Sequence, residues 1–271
     1  MTPKIRAPRL LPKGKPRPVE PPEPDDLPEE EGGRMGLFEH LDELRRRLFR
    51  AVIALVIGTI VAIPLTTPIL QELQAPYGRQ FTALGPTDSV VAYFRVALMT
   101  GAILSIPITT YQVLMFILPG LTRKEKRYLL TALPAITGLF LIGAVFAWFA
   151  LIPPALGFLE GFAPTIFKPE WTADLYLSFV TALIFWMGVA FQTPLIFFVL
   201  ALLGMVTAGA LLRQWRIAVV GAAIAAALIT PTIDPVNMSL VMGPLLVLYA
   251  LSILLVAIGR RFSRVDAGAA A

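Results

Sequence analysis

Long apolar segments recur along this chain, and they constrain its fold more than any other feature. A helix that crosses the hydrocarbon core of a bilayer needs about 20 apolar residues. Six segments approach or exceed this length, at about 48–70, 90–118, 128–152, 174–203, 214–230 and 238–258. A soluble domain of 271 residues, 56% of them hydrophobic and 15% charged, would leave much apolar surface in water. We therefore predict an all-α integral membrane protein with six transmembrane helices.

The fifth segment is shorter than the others. Its apolar part, RIAVVGAAIAAALI at 216–229, would form a helix roughly 21 Å long, against a hydrocarbon core of about 30 Å. Either neighbouring helices shield this segment, or the bilayer thins around it.

Basic residues concentrate on alternate connections between the segments. One set consists of Arg45, Arg46, Arg47, Arg50, Arg123, Lys124, Lys126, Arg127, Arg213, Arg216, Arg260, Arg261 and Arg264. The opposite connections hold only Arg79 and Lys168. Loops rich in Lys and Arg stay on the cytoplasmic side of a membrane. Both termini are therefore predicted to be cytoplasmic.

The ends of the chain differ from its centre in composition. Residues 1–34 are rich in proline, with a basic half followed by an acidic half. Such a segment cannot bury enough apolar surface to offset the entropy of ordering, so we predict a disordered cytoplasmic tail. Residues 35–262 form the predicted six-span membrane domain, and 263–271 form a short cytoplasmic tail.

Several function classes lack the residues they require. The chain has no cysteine and a single histidine, His40, so we expect no metal site and no catalytic site built on those residues. Its only Gly-Lys pair, Gly14-Lys15, precedes a proline and does not form a nucleotide-binding loop. The bases lie between apolar segments, a pattern of membrane topology and not of nucleic-acid binding. We expect no enzymatic activity and no cofactor.

Two acidic islands lie within the basic clusters. HLDELRRRLFR (40–50) places Asp42 opposite Arg46 and Glu43 opposite Arg47 at i,i+4 on a helix. LTRKEKRYL (121–129) encloses Glu125 among four bases. One interpretation is a set of helix salt bridges, each worth a few tenths of a kcal/mol. The other is a pair of carboxylates that receives a ligand bearing two arginines, since a guanidinium binds a carboxylate in a bidentate way.

These residues, with others, carry a resemblance to a known family. HLDELRRRL (40–48), SIPITTYQVLMFILPGL (105–121), TRKEKR (122–127), YLSFVTALIFWMGVAFQTP (176–194) and ITPTIDP (229–235) occur in this order. Together they resemble TatC, the receptor subunit of the twin-arginine protein translocase, over nearly the whole stretch from Leu37 to Arg261. The resemblance implies a concave, glove-like bundle in the cytoplasmic membrane of a prokaryote.

The resemblance also implies a function and a binding site. Members of this family bind twin-arginine signal peptides and act in a translocase that exports folded proteins with the proton-motive force. Their single-span partners are of the TatA and TatB type, and self-association is expected. The implied signal-peptide site comprises Glu43 and Glu125, with Leu41, Arg45, Gln112 and Phe116 as neighbours.

A second implied set lies within the membrane or against partner subunits, at Gln192, Pro194, Thr230 and Asp234. Here the sequence departs from the family pattern. Gln192 stands where the family often has a glutamate, and we expect it to form an interhelical hydrogen bond. Asp234 either serves a function of its own or caps the helix that begins at Pro235. Arg95 is expected to reach the outer head groups, with a contact to Asp88 as the alternative.

The alternative function is a secondary transporter of a small solute or ion. Transporters place polar or charged groups at the middle of the membrane. In this sequence Gln192 is almost the only such group, and the carboxylates lie near the membrane faces. The distribution of charge favours the receptor.

Overall fold

Helices account for nearly all of the architecture. The computed structural model describes residues 37–78, 80–117, 123–166, 169–202, 204–230 and 234–269. Helical structure satisfies every backbone hydrogen bond within one segment, as a bilayer requires. The helices are α1 (Leu37–Gln74), α2 (Asp88–Ile117), α3 (Arg123–Phe146), α4 (Ile152–Gly161), α5 (Ala173–Ala190), α6 (Thr193–Leu202), α7 (Ala208–Arg213), α8 (Trp215–Ile229) and α9 (Pro235–Ala269).

Five helical segments in the described part of the chain are long and apolar enough to cross a membrane: His40–Tyr77, Asp88–Phe116, Leu133–Gly161, Ala173–Ala201 and Pro235–Ile258. They correspond to the first four and the sixth of the predicted segments. The predicted fifth segment is α8, which has only 15 residues. The predicted tail at 1–34 lies outside the described residues, and α9 continues to Ala269, into the predicted tail at the other end.

The third predicted segment continues beyond its expected end. A π-helical turn, Ala147–Leu151, joins α3 to α4, so the helix runs on to Gly161 and not only to residue 152. Pro153 and Pro154 have no N–H to bond the carbonyls of Phe149 and Ala150. The chain accommodates this loss by an i→i−5 bond from the Ile152 N–H to the Ala147 carbonyl.

A break divides the fourth predicted segment into α5 and α6. Phe191 and Gln192 form a turn between the two helices. Pro194 follows at the second position of α6, where it has no N–H to donate to the Ala190 carbonyl. The break therefore lies where a proline interrupts the hydrogen-bond ladder.

The core is centred on α5. Leu177, Val180, Leu183 and Met187 are at most 1% exposed. Val96 of α2 belongs to the same buried cluster. One face of α5 is thus enclosed by its neighbours, whereas Leu175 and Trp186 of the same helix are exposed.

Glycines allow two close helix crossings. A Cβ on Gly58 of α1 would lie 2.5 Å from the Gly101 carbonyl oxygen of α2. A Cβ on Gly188 of α5 would lie 2.6 Å from the ring of Phe140 in α3. Real Cβ atoms do not approach so closely, so both crossings depend on the missing side chain.

Aromatic rings join two connections at one end of the bundle. Tyr77 and Phe81 follow α1, whereas Trp171 precedes α5 and Tyr176 lies in its first turn. Ring centroids within this group are 5.2–6.1 Å apart. The Tyr176 hydroxyl donates to the Leu73 carbonyl at 2.9 Å. We call these four residues the aromatic cap and their end of the molecule the cap end. The cap fixes the far end of α1 to α5.

Candidate functional site

Glu43 lies on the face of α1 that packs towards α2, at the end opposite the cap. Its Oε1 accepts hydrogen bonds from Nε of Arg47, at 2.8 Å, and from Nη2 of the same residue. The two side chains are only 16% and 17% exposed. The i,i+4 pairing predicted from the sequence is therefore present, in a partly desolvated position.

Residues of α2 complete this cluster. Nη1 of Arg47 donates to Oε1 of Gln112 at 3.5 Å, and Gln112 is buried. One helical turn further along α2, the ring of Phe116 stacks on His40 with centroids 4.5 Å apart. Glu43, Gln112 and Phe116, predicted as neighbours, thus lie together. We call this set, with His40 and Arg47, the carboxylate cluster.

His40 and Arg47 were not among the predicted binding residues. The sequence does contain a signal for both, because positions 40, 43 and 47 recur at i,i+3 and i,i+4 on one helix face. Three polar residues on the face that meets α2 indicate a cluster and not three separate surface groups.

The second oxygen of Glu43 is buried without a hydrogen-bond partner among the described residues. A buried acceptor without a donor is unfavourable by about 1–3 kcal/mol, and by more when it is charged. An incoming guanidinium would remove that cost and form a charge-assisted hydrogen bond. Such a donor would not compete with Arg47, which bonds the other oxygen, but the buried Oε2 becomes reachable only if neighbouring side chains move.

Leu41 and Arg45 lie on a different face of α1. Both are exposed, and both border a cavity of about 720 Å³ whose described lining belongs to α1. Asp42 also points away from α2, and it pairs with exposed Arg46 at 2.7 Å. Leu41 and Arg45 are therefore near Glu43 in sequence but do not belong to the carboxylate cluster.

Glu125 lies in the first turn of α3, which begins at Arg123. An acidic residue in the first turn is favourable because it faces the positive end of the helix dipole. Its side chain lies outside the described residues, so its position relative to Glu43 stays a prediction.

Gln192 is buried at the break between α5 and α6, where Pro194 is buried as well. Its backbone carbonyl accepts from the N–H groups of Leu195 and Ile196, at 3.1 and 3.0 Å. Its Nε2 has no hydrogen-bond partner among the described residues. This nitrogen therefore does not form the interhelical hydrogen bond expected of the Gln192 side chain. The side chain lines a small cavity with largely apolar walls, among them Leu114.

Asp234 caps α9. Its Oδ1 accepts from the backbone N–H of Asn237 at 2.7 Å, and its Oδ2 accepts from the Asn237 amide at 3.0 Å. This geometry confirms the helix-cap interpretation. Thr230 is buried at the end of α8 and donates to the Ala226 carbonyl at 2.7 Å. Residues 231–233 between them lie outside the described part.

Arg95 has a partner that the sequence did not suggest. Its Nη2 lies 2.8 Å from Oδ1 of Asp174, at the start of α5. Asp88, the expected alternative, instead accepts from the N–H groups of Leu84 and Gly85. The alternative of an Asp88 contact is therefore wrong, because Asp88 closes the turn before its own helix, and the expected approach of Arg95 to the head groups stays a prediction.

The geometry agrees with similarities to known proteins. A family model described as Sec-independent protein translocase protein (TatC) matches residues 39–244. A crystal structure of the twin-arginine translocase receptor TatC superposes with a TM-score of 0.73 at 34% identity, covering 82% of this chain and 99% of that one. The chain belongs to the TatC family.

Two relatives illustrate how far the similarity extends. The Sec-independent protein translocase protein TatC of Synechocystis sp. is 38% identical over 227 residues, which are 83% of this chain and 87% of that protein. The chloroplastic TATC protein of Arabidopsis thaliana is 36% identical over 231 residues, 84% of this chain and 67% of that protein. Membership of the TatC family assigns the chain to the Tat translocase and not to small-solute transporters. It is a multi-pass membrane protein.

Proposed function

We propose that this TatC protein is the receptor that binds twin-arginine signal peptides and the scaffold of a translocase for folded proteins. The observation that carries the proposal is the carboxylate of Glu43, partly buried beside Gln112 and with one oxygen unpaired among the described residues. A site for arginine requires such a carboxylate in a fixed orientation. Two hydrogen bonds from Arg47 fix that orientation.

One arginine of the peptide pairs with the free oxygen of Glu43, and the other pairs with Glu125 at the start of α3. Gln112 fixes the position of Arg47, and the His40–Phe116 stack forms an apolar wall beside the site. Leu41 and Arg45, on the neighbouring face of α1, contact the segments of the peptide that flank its arginines. The apolar stretch of the peptide then lies along α2 and α6, in the half of the membrane nearest the cluster.

The remaining parts of the proposal concern topology and assembly. Six crossings, with α8 as the fifth, place both termini in the cytoplasm and the aromatic cap on the outer face of a prokaryotic inner membrane. The bundle is concave, and it associates with TatA- and TatB-type single-span subunits and with further copies of itself. Gln192, Pro194, Thr230 and Asp234 contribute to the contacts within the membrane, and the proton-motive force drives transport.

The direct test is binding of a fluorescent signal peptide to the purified protein in detergent. A twin-arginine peptide should bind at least tenfold more tightly than the same peptide with two lysines, since lysine cannot form a bidentate pair with a carboxylate. Equal affinities for the two peptides would contradict recognition through the guanidinium fork.

The crossing of α8 can be tested by cysteine labelling, because the chain contains no cysteine. Leu84→Cys, Gly209→Cys and Val236→Cys place thiols at exposed positions before α2, before α8 and after α8. An impermeant maleimide added to spheroplasts should label the Leu84 and Val236 variants, and the Gly209 variant only after permeabilisation. Labelling of the Gly209 and Val236 variants from the same side would show that α8 does not cross.

A further inference from the structure

A groove of about 420 Å³ opens between α1, α2 and α5 in the half of the bundle that ends at the cap. Most of its walls are apolar, and they include Leu55, Leu98, Met99, Ala102, Ala182 and Phe185. Arg95 borders it as well, and from there to Ala102 the groove follows α2 for seven residue steps, or about 10 Å. One leaflet of hydrocarbon is about 15 Å thick. The groove is therefore long enough to hold the part of an acyl chain nearest the head group.

An ion pair stands at the end of the groove nearest the cap. Arg95 and Asp174 bind each other at 2.8 Å, and Nη1 of Arg95 also donates to the Asp174 backbone carbonyl at 3.3 Å. The two side chains are nevertheless 31% and 41% exposed. A positive and a negative group are therefore fixed side by side. Oδ1 of Asp174 is itself buried and accepts no hydrogen bond from the described residues, so a ligand reaches this carboxylate through its exposed remainder.

We propose that this groove binds one phospholipid whose head group is zwitterionic and carries a primary ammonium. Its phosphate lies against Arg95, its ammonium lies against Asp174, and one acyl chain follows the groove towards Ala102.

The charges of the pair select this class of lipid over others. An anionic head group would meet Asp174 with like charge, so the pair as a whole does not favour it. A primary ammonium donates hydrogen bonds to a carboxylate, as lysine does, whereas a quaternary ammonium has no N–H to donate. The apolar walls explain why the ligand carries an acyl chain and is not a free phosphate. The site lies at the end of the bundle opposite the carboxylate cluster and is independent of signal-peptide binding.

Native mass spectrometry of the full chain in detergent tests the proposal, with phosphatidylethanolamine, phosphatidylcholine and phosphatidylglycerol of identical acyl chains. The wild type should retain the ethanolamine lipid at least fivefold more than either of the others. Asp174→Asn should remove the preference for ethanolamine over choline. Arg95→Gln should lower retention of both the ethanolamine and the choline lipid at least fivefold. Arg213→Gln, which removes an exposed arginine elsewhere, serves as the control and should behave as the wild type.

A second variant tests the groove without touching the ion pair. Ala102→Phe fills the groove and should reduce retention of the ethanolamine lipid to the level of the choline lipid. Thermal melting checks that each variant is folded. If Arg95→Gln is not folded, the proposal is tested with Asp174→Asn and Ala102→Phe alone. Equal retention of the three lipids by the wild type would overturn the proposal, as would wild-type selectivity in both Asp174→Asn and Ala102→Phe.

Discussion

Glu43→Gln is expected to weaken binding of a twin-arginine signal peptide by roughly 10- to 150-fold. A hydrogen bond to a charged group contributes about 1.5–3 kcal/mol, and each 1.4 kcal/mol corresponds to a factor of ten in affinity. Glutamine keeps the shape of the side chain but presents only one oxygen and no charge. Fluorescence anisotropy of a labelled peptide, titrated with the purified variant, measures the change.

Asp42→Asn is the matched control for this substitution. Asp42 is the neighbouring acid on the same helix, it pairs with its own arginine at i,i+4, and its side chain is 54% exposed. It points away from α2, so its loss should change affinity less than twofold. Glu125→Gln should weaken binding to a similar degree as Glu43→Gln. If Asp42→Asn and Glu43→Gln lose affinity equally, the peptide responds to the general negative charge of α1 and not to the carboxylate cluster.

Gly101→Ala should destabilise the protein, although alanine is the better helix former. A Cβ at position 101 would lie 2.5 Å from the backbone nitrogen of Thr59. Because the clash is with backbone atoms, it is relieved only if α1 and α2 move apart. Overpacking of this kind costs about 1–3 kcal/mol, more than the roughly 1 kcal/mol that alanine gains over glycine in a helix. The unfolding temperature in detergent should therefore fall by several degrees.

Gly138→Ala is the counterpart in α3. Apart from its own helix turn, a Cβ at this position meets no atom of the described residues within 4 Å. Only the gain in helix propensity remains, so the unfolding temperature should stay constant or rise. A fall of equal size in both variants would show that the crossing at Gly101 does not depend on its missing side chain.

Features set by local rules were predictable from the sequence. The long apolar segments form helices because a bilayer requires each segment to satisfy its own backbone hydrogen bonds. Five of the six are long enough to cross it. The pairing of Glu43 with Arg47 follows from helix geometry alone. The cap role of Asp234 follows from its place before a helix that begins with proline.

Features set by packing between distant segments were harder to predict. Arg95 and Asp174 are 79 positions apart, and the sequence offered a nearer acid, Asp88, which the turn before α2 already uses. The helix beyond residue 152 was not predicted because prolines such as Pro153 and Pro154 usually end a helix. Here a π-helical turn directly before them lets the helix continue. The proximity of Gln112 and Phe116 to Glu43 was predicted only by resemblance to the TatC family.

The crossing of α1 and α2 divides α1 into two arms of unequal stiffness. From Gly58 to Glu43 the helix runs about 22 Å without a proline, whereas the arm of similar length towards Gln74 contains Pro64 and Pro68. Helices bend where proline removes a hydrogen bond. Bending of α1 is therefore expected at the two prolines, on the cap side of the crossing, whereas the stretch from Gly58 to Glu43 stays straight and keeps its contacts with α2.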